Sequence, residues 1–263
     1  MISNLFYCKK LKTIINQKIG AFMKRVITTL FAITLCANAH FLTFLPSSDN
    51  VQSQKNSKLH FDISFIHPFE QSGMTMEKPE LFVNNHQKSL PLIKTKKFEH
   101  KAWKALYDIK TPGVYQFFVQ PQPYFEPLEG KFISHVPKVI ISAFGIEQGW
   151  DEPLGLKYEI IPMTKPFGLY AGNSFQGVVL HHGKPASNVE VEVELYNEFN
   201  LKSPSDAHIT QVVKTNANGE FSFTMNHKGW WGFAALIEEG EITHKDGKSY
   251  PVENGALIWV KAH

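Results

Sequence analysis

The sequence predicts an all-β protein: two β-sandwich domains behind a cleaved leader. Three observations carry that prediction. Apolar residues recur with period two in short segments, as at Leu59, Phe61, Ile63 and Phe65, or Val189, Val191 and Val193. Turn formers such as Thr111-Pro112-Gly113, Gly183-Lys184-Pro185 and Asn216-Ala217-Asn218-Gly219 separate those segments. No window of useful length shows the 3.6-residue apolar stripe of a helix.

The leader comes first. Met23-Lys24-Arg25 supplies a basic start, Val26 to Cys36 an apolar run, and Ala37-Asn38-Ala39 a small-residue cleavage site. Residues 1–22 hold no acidic residue and precede this second methionine, so Met23 reads as the start and residues 1–22 as an over-extension. The apolar run is shorter than the roughly 20 residues that span a bilayer. The expected product is an exported periplasmic protein with no membrane span, beginning at His40.

From His40 the strands follow in order. Phe41 to Leu45 reads as a strand closed by Pro46, and Lys58 to His67 as a second, ended by Pro68. Gln71 to Met76 is a loop carrying two thioethers. Residues 80–83, 101–109 and 113–119 are further strands. Pro121-Gln122-Pro123-Tyr124-Phe125-Glu126-Pro127 is the best linker candidate, with aromatics that argue for packing. Residues 138–144 are another strand, and the domain boundary is set at 40–145 and 146–263. In the second domain, residues 173–180 form a strand and residues 189–195 alternate strictly, valines inward and glutamates outward. Residues 210–224 give a hairpin signal around Asn216 to Gly219, and residues 229–236 and 255–260 close the domain. This order resembles immunoglobulin-like or transthyretin-like sandwiches, a likeness that bears on fold alone.

Composition narrows the function. Six of the 27 basic residues and none of the 24 acidic ones lie in residues 1–39, so the remaining 224 residues carry 21 against 24, formally −3. Both cysteines, Cys8 and Cys36, and the single arginine, Arg25, also lie there. The processed chain therefore has no thiol and no guanidinium fork, which argues against nucleic acid as a partner. Any metal must be held by histidine, carboxylate, methionine or backbone, and all twelve histidines follow residue 39.

Cleavage after Ala39 would give His40 a free α-amine beside its imidazole. Their pKa values, about 8 and 6.5, let both deprotonate near neutrality. Amine and Nδ1 close a six-membered chelate ring, a donor pair suited to nickel, cobalt or copper. Further ligands must approach: His67, at the strand end, is the first candidate and His135 the second. Glu126 offers a carboxylate, and Met74 or Met76 a soft sulfur. His181 and His182, adjacent at a turn, are expected to point apart into solvent. The row Glu190, Glu192, Glu194 is expected to be a solvated face. No hydrolase, zinc-protease, phosphate-loop or dinucleotide motif is present, and the chain reads as a non-enzyme.

Several segments together resemble the NikK-type periplasmic proteins. They are Ala39-His40-Phe41-Leu42, Ile66-His67-Pro68-Phe69-Glu70, the Pro-rich run with Phe132-Ile133-Ser134-His135, Gly149-Trp150-Asp151, Glu159-Ile160-Ile161-Pro162, Gly183-Lys184-Pro185 and residues 229–236. That group is associated with bacterial nickel and cobalt uptake systems of the energy-coupling type, and is otherwise a domain of unknown function. The resemblance implies a periplasmic accessory component that binds Ni2+ or Co2+, as the ion or a small chelate, and delivers it to an inner-membrane transporter. His40, His67 and His135 are the matching positions. The alternatives are a CopC-like copper carrier, in which the methionines would hold Cu(I), and a copper oxygenase acting on polysaccharide through an N-terminal histidine.

Overall fold

The computed structural model describes residues 40–84 and 89–263. The expected leader, its expected cleavage site and both cysteines lie outside the described residues. In chain order the strands are β1 (Phe41–Pro46), β2 (Asn50–Val51), β3 (Lys58–His67), β4 (Ser72–Met74), β5 (Glu80–Val83), β6 (Ile93–Lys97), β7 (His100–Asp108), β8 (Gly113–Gln120) and β9 (Tyr124–Glu126). There follow β10 (Lys131–Ala143), β11 (Tyr158–Pro162), β12 (Ser174–His181), β13 (Lys184–Pro185), β14 (Glu190–Leu195), β15 (Gln211–Lys214), β16 (Glu220–Thr224), β17 (Gly229–Thr243) and β18 (Ser249–Ala262). Two single-turn 3-10 segments, Gln54–Asn56 and Asp206–His208, are the only helical pieces among the described residues. The expected all-β sandwich class holds. No helix among the described residues is long and apolar enough to cross a membrane.

Three sheets stack around two cores. The central sheet runs β15-β14-β17-β18-β10-β8-β5, with β2 and β9 also paired to β10. One outer sheet is β1-β3-β7-β6 with β4 on β3; the other is β11-β12-β13 with β16 on β12. Central strands send alternate side chains to opposite cores, as period two requires. Trp230, Ala234, Leu257 and Trp259 join Phe41, Phe61 and Ile63 in the first core. Trp231, Phe233, Ile258 and Val260 join Ile160, Phe175 and Val179 in the second. Burial on both faces explains why β17 and the end of β18 read as unbroken apolar runs. Strands from both sides of the expected 145/146 boundary enter this one sheet.

Close approach fixes two details. Gly232 has no side chain because a Cβ there would stand 2.8 Å from Cη2 of Trp259 and 3.1 Å from Phe41. The indole fills that space, and its Nε1 donates to the Leu42 carbonyl at 3.1 Å, tying β1 to β18.

Two expectations are corrected. The Pro-rich segment is not a linker: its aromatics pack, as expected, but Tyr124 to Glu126 do so as a strand of the central sheet paired with β10. The 210–224 segment is not a hairpin. Its turn forms, with Asn216 N–H bonded to the Glu220 carbonyl at 2.9 Å, but β15 pairs with β14 while β16 pairs with β12 in the outer sheet. Gly219, at φ +75°, makes the crossing: its carbonyl accepts from Val179, and a Cβ there would meet the Ala186 nitrogen at 2.9 Å.

Candidate metal centre

Strand register brings the first two histidines together. β1 and β3 are antiparallel with Phe41 opposite Ile66. One step further, His40 falls opposite His67, and their ring centroids are 4.7 Å apart. Pro68 ends β3 there, and Asn197 anchors the following loop by donating its backbone N–H to the Pro68 carbonyl and its side-chain N–H to the Phe69 carbonyl.

His135 arrives on another strand. On one side β10 pairs with β9 through Ile133 and with β8 from Val139 onward, leaving residues 134–138 with no partner on that edge. Pro137, which has no N–H, falls in this interval. On its other side β10 runs parallel to β18, with His135 opposite Gly255. A Cβ on Gly255 would lie 2.4 Å from Cδ2 of His135, so the imidazole occupies the space a side chain would need. The Phe65 ring neighbours both histidines, 5.7 Å from His40 and 6.5 Å from His135.

The His40 imidazole is set up as a neutral donor. Burial above all, then the charge of His67 and more weakly of His135, hold the His40 imidazole below its ordinary value, while Glu126 and Glu129 pull it upward. It is therefore uncharged at neutral pH. His135 is 2% exposed. Its Nε2 lies 3.3 Å from Oε1 of Glu253, and its Nδ1 is buried with no hydrogen-bond partner in the described structure. With the proton on Nε2, Nδ1 carries the lone pair, and Glu253 acts as the carboxylate that orients a ligating ring.

Carboxylates surround the group. Glu126 Oε2 stands 3.3 Å from His40 Nε2, and Glu129 Oε1 3.8 Å from Nδ1. Glu126 also accepts the Leu128 N–H at 3.0 Å. Lys131 bridges Glu129 at 2.6 Å and Glu253 at 2.5 Å. Burial works to raise the Glu253 carboxyl, but His135 and Lys131 hold it down to about 2. Glu192 goes the other way: burial first, then Glu253, push it up to about 7 against the pull of Lys131. The expectation of a solvated glutamate row thus holds at Glu190, which is exposed, and is corrected at Glu192 and Glu194. Glu194 is 1% exposed, accepts from Thr210 at 3.2 Å, and burial drives its carboxyl well above the ordinary range. Met76 lies in the first core and Met74 packs against it.

His40, His67 and Glu126 stand side by side at one end of the first sandwich, with His135 nearby across the Phe65 ring, but the ligand atoms of these residues do not all lie within 4.8 Å of one another as they stand. Glu129 and Glu253 were missed. Only the β10–β18 register places Glu253 beside His135, and no local pattern reveals a parallel pairing 118 residues apart. Next to His135 opens a cavity of about 270 Å3, lined by Phe65, Thr75, Met76, Tyr124 and Gln122 among others.

A second group lies elsewhere. His181 and His182 do not point apart. His182 sits at φ +50°, which swings its ring to within 4.6 Å of His181, and both approach Glu239. The strand alternation used in the sequence argument fails because the second residue has left-handed backbone.

Comparison with known proteins gives one family. No curated protein matches. Among solved structures, the Yersinia pseudotuberculosis adhesin InvE is 11% identical with a TM-score of 0.23, covering 81% of this chain and 58% of the adhesin. The D0-D1 domain of Intimin is 13% identical at 0.22, covering 85% of this chain and 100% of that one. The Clostridium thermocellum CbhA fibronectin(III)-like modules are 10% identical at 0.23, covering 85% and 95%. At those TM-scores the likenesses carry no argument about this chain. The domain of unknown function DUF4198 matches residues 37–239, and the chain belongs to that family.

Proposed function

We propose that this protein is a non-enzymatic periplasmic carrier that binds Ni2+ or Co2+ through His40, His67 and His135 and hands it to an inner-membrane transporter of the energy-coupling type. The observation that supports the reading is that two separate strand registers bring His67 beside His40 and, across Phe65, a buried His135 with an unpartnered Nδ1 into the same region, from which side-chain rotation would have to complete a site. A buried ring nitrogen without a partner is uncommon unless something else fills that role. Nitrogen and carboxylate donors suit borderline divalent ions of this kind. The choice of nickel or cobalt, and the transporter, follow from the resemblance to NikK-type proteins.

Processing is part of the proposal, because removal of residue 39 turns the His40 amide nitrogen into an amine donor. Calorimetric titration of protein beginning at His40 with Ni2+, Co2+ and Cu2+ tests it. Binding is expected to weaken more than tenfold in His67→Ala, and similarly when one extra residue precedes His40. Equal affinity in both variants would remove the chelate and the reading with it.

A further inference from the structure

We infer that His181, His182 and Glu239 form a second site, for a late first-row divalent ion, at the end of the second sandwich where β12 of the outer sheet meets β17 of the central one. This site goes beyond the carrier reading and shares no residue with it. One ligand atom from each of the three residues lies within 4.8 Å of the other two. His181 Nε2 is 2.8 Å from Oε2 of Glu239, and His182 Nε2 is 3.6 Å from Oε1. Two donors each about 2.1 Å from one ion stand roughly 3 to 3.5 Å apart, so the 2.8 and 3.6 Å separations bracket that range and small side-chain rotations would bring the donors onto one ion.

Three independent features of the backbone and its neighbours build this geometry. β12 ends at His181, and the left-handed His182 then turns the next ring to the same side. On β17 the pairing with β18 slips between Glu238 and Glu241, with Gly240 at φ +83°. Such a bulge re-aims a side chain, and here the residue released from the ladder is Glu239. Tyr158, opposite His181 in the sheet, stacks on its ring at 5.3 Å and 9° and donates its hydroxyl to Glu239. The ring and the carboxylate are thereby oriented from behind, as outer-shell partners orient ligands in metal sites.

Lys157 is the competitor. Its Nζ lies 3.2 Å from Oε2 of Glu239 and 5.0 Å from the Tyr158 ring centroid. An arriving ion must displace this ammonium from the carboxylate. The side chains of His181, His182 and Glu239 are 34%, 59% and 37% exposed, which leaves open coordination positions and an entry path from solvent. The donor set of two imidazoles and one carboxylate takes Zn2+, Ni2+ or Cu2+ in preference to Mg2+ or Ca2+.

Titration of the full chain with Zn2+ and, separately, Ni2+ tests the site, using variants that keep the local fold. His181→Phe retains the stack on Tyr158 without a ligand nitrogen. His182→Asn suits the left-handed position. Each is expected to weaken one binding equivalent at least tenfold, with an unchanged circular dichroism spectrum. Lys157→Gln should tighten the same equivalent severalfold, an effect that a purely structural ion pair would not produce. If every equivalent bound by the parent persists unchanged in both histidine variants, or if Lys157→Gln leaves all affinities as they were, the site does not exist. His67→Ala serves as the separating control: it should leave this equivalent intact. Loss of binding at His67 alone, or survival of it alone, bears on the carrier reading and not on this one.

Discussion

At the scale of single residues, Gly255 sets the position of His135. Its missing side chain is the space in which the imidazole lies, so Gly255→Ala must push the ring aside or open the β10–β18 pairing. We expect a stability loss of about 1–3 kcal/mol, typical of overpacking, and at least a tenfold loss of metal affinity; chemical denaturation and calorimetry read the two separately. Glu194 gives a pH test. Burial raises its carboxyl well above the ordinary range, so the folded state keeps a proton that the unfolded chain releases. The stability this contributes is full below the unfolded value of about 4.5 and is lost as pH rises through the folded one. Glu194→Gln, uncharged at every pH, should therefore gain stability relative to the parent as pH is raised from 4 to 8, measured by urea unfolding. A parallel pH profile for the two proteins would contradict this. The sequence showed that Val191 and Val193 share one face and the glutamates the other. It did not show that the second face is also covered, because alternation separates two faces without saying how many are wet.

At the scale of elements, the buried pair of Lys138 on β10 and Glu159 on β11 joins the central sheet to an outer one. The two side chains are each 1% exposed and 2.8 Å apart. Glu159 also accepts the N–H groups of Leu154, Gly155 and Leu156, fastening the loop that leads into β11. Glu159→Gln leaves the lysine charge buried without its counter-ion and should cost about 3–5 kcal/mol, seen as a large fall in the denaturation midpoint. A loss below 1 kcal/mol would mean that water reaches the pair. Most strands were readable from alternation and turns, including β5 and β16 to the residue. Their partners were not. The parallel β10–β18 pairing and the passage of β16 into the other sheet depend on tertiary packing, which a period-two pattern does not encode. The site follows the same rule. His40 and His67 meet through neighbouring strands of one simple antiparallel pair, whereas Glu253 needed the long-range register.

At the scale of the molecule, the two cores are bound into one structure by the central sheet, whose alternate side chains serve both. β5, β8 and β10 belong to the first 145 residues, but β10 pairs with β18 along seven residues, Phe132 to Lys138. A fragment of residues 40–145 would expose that whole edge and lack Trp230, Ala234, Leu257 and Trp259 from its core. We expect it to remain unfolded or to aggregate, while the intact chain unfolds in a single cooperative transition; circular dichroism and calorimetry on the two would show a native-like, independently melting fragment if this is wrong.

The bond from the Trp259 indole to the Leu42 carbonyl spans 217 residues of sequence. It sets the order of events during biosynthesis. β1 is the first of the described strands to be made, yet the surface that receives it includes β18, the last of them. Contacts so distant along the chain form slowly, and until they form His40 and His135 have no fixed relation. A nascent chain therefore cannot assemble the proposed metal centre, and on that reading the protein would acquire its cargo only after its C-terminal strand has closed the sheet.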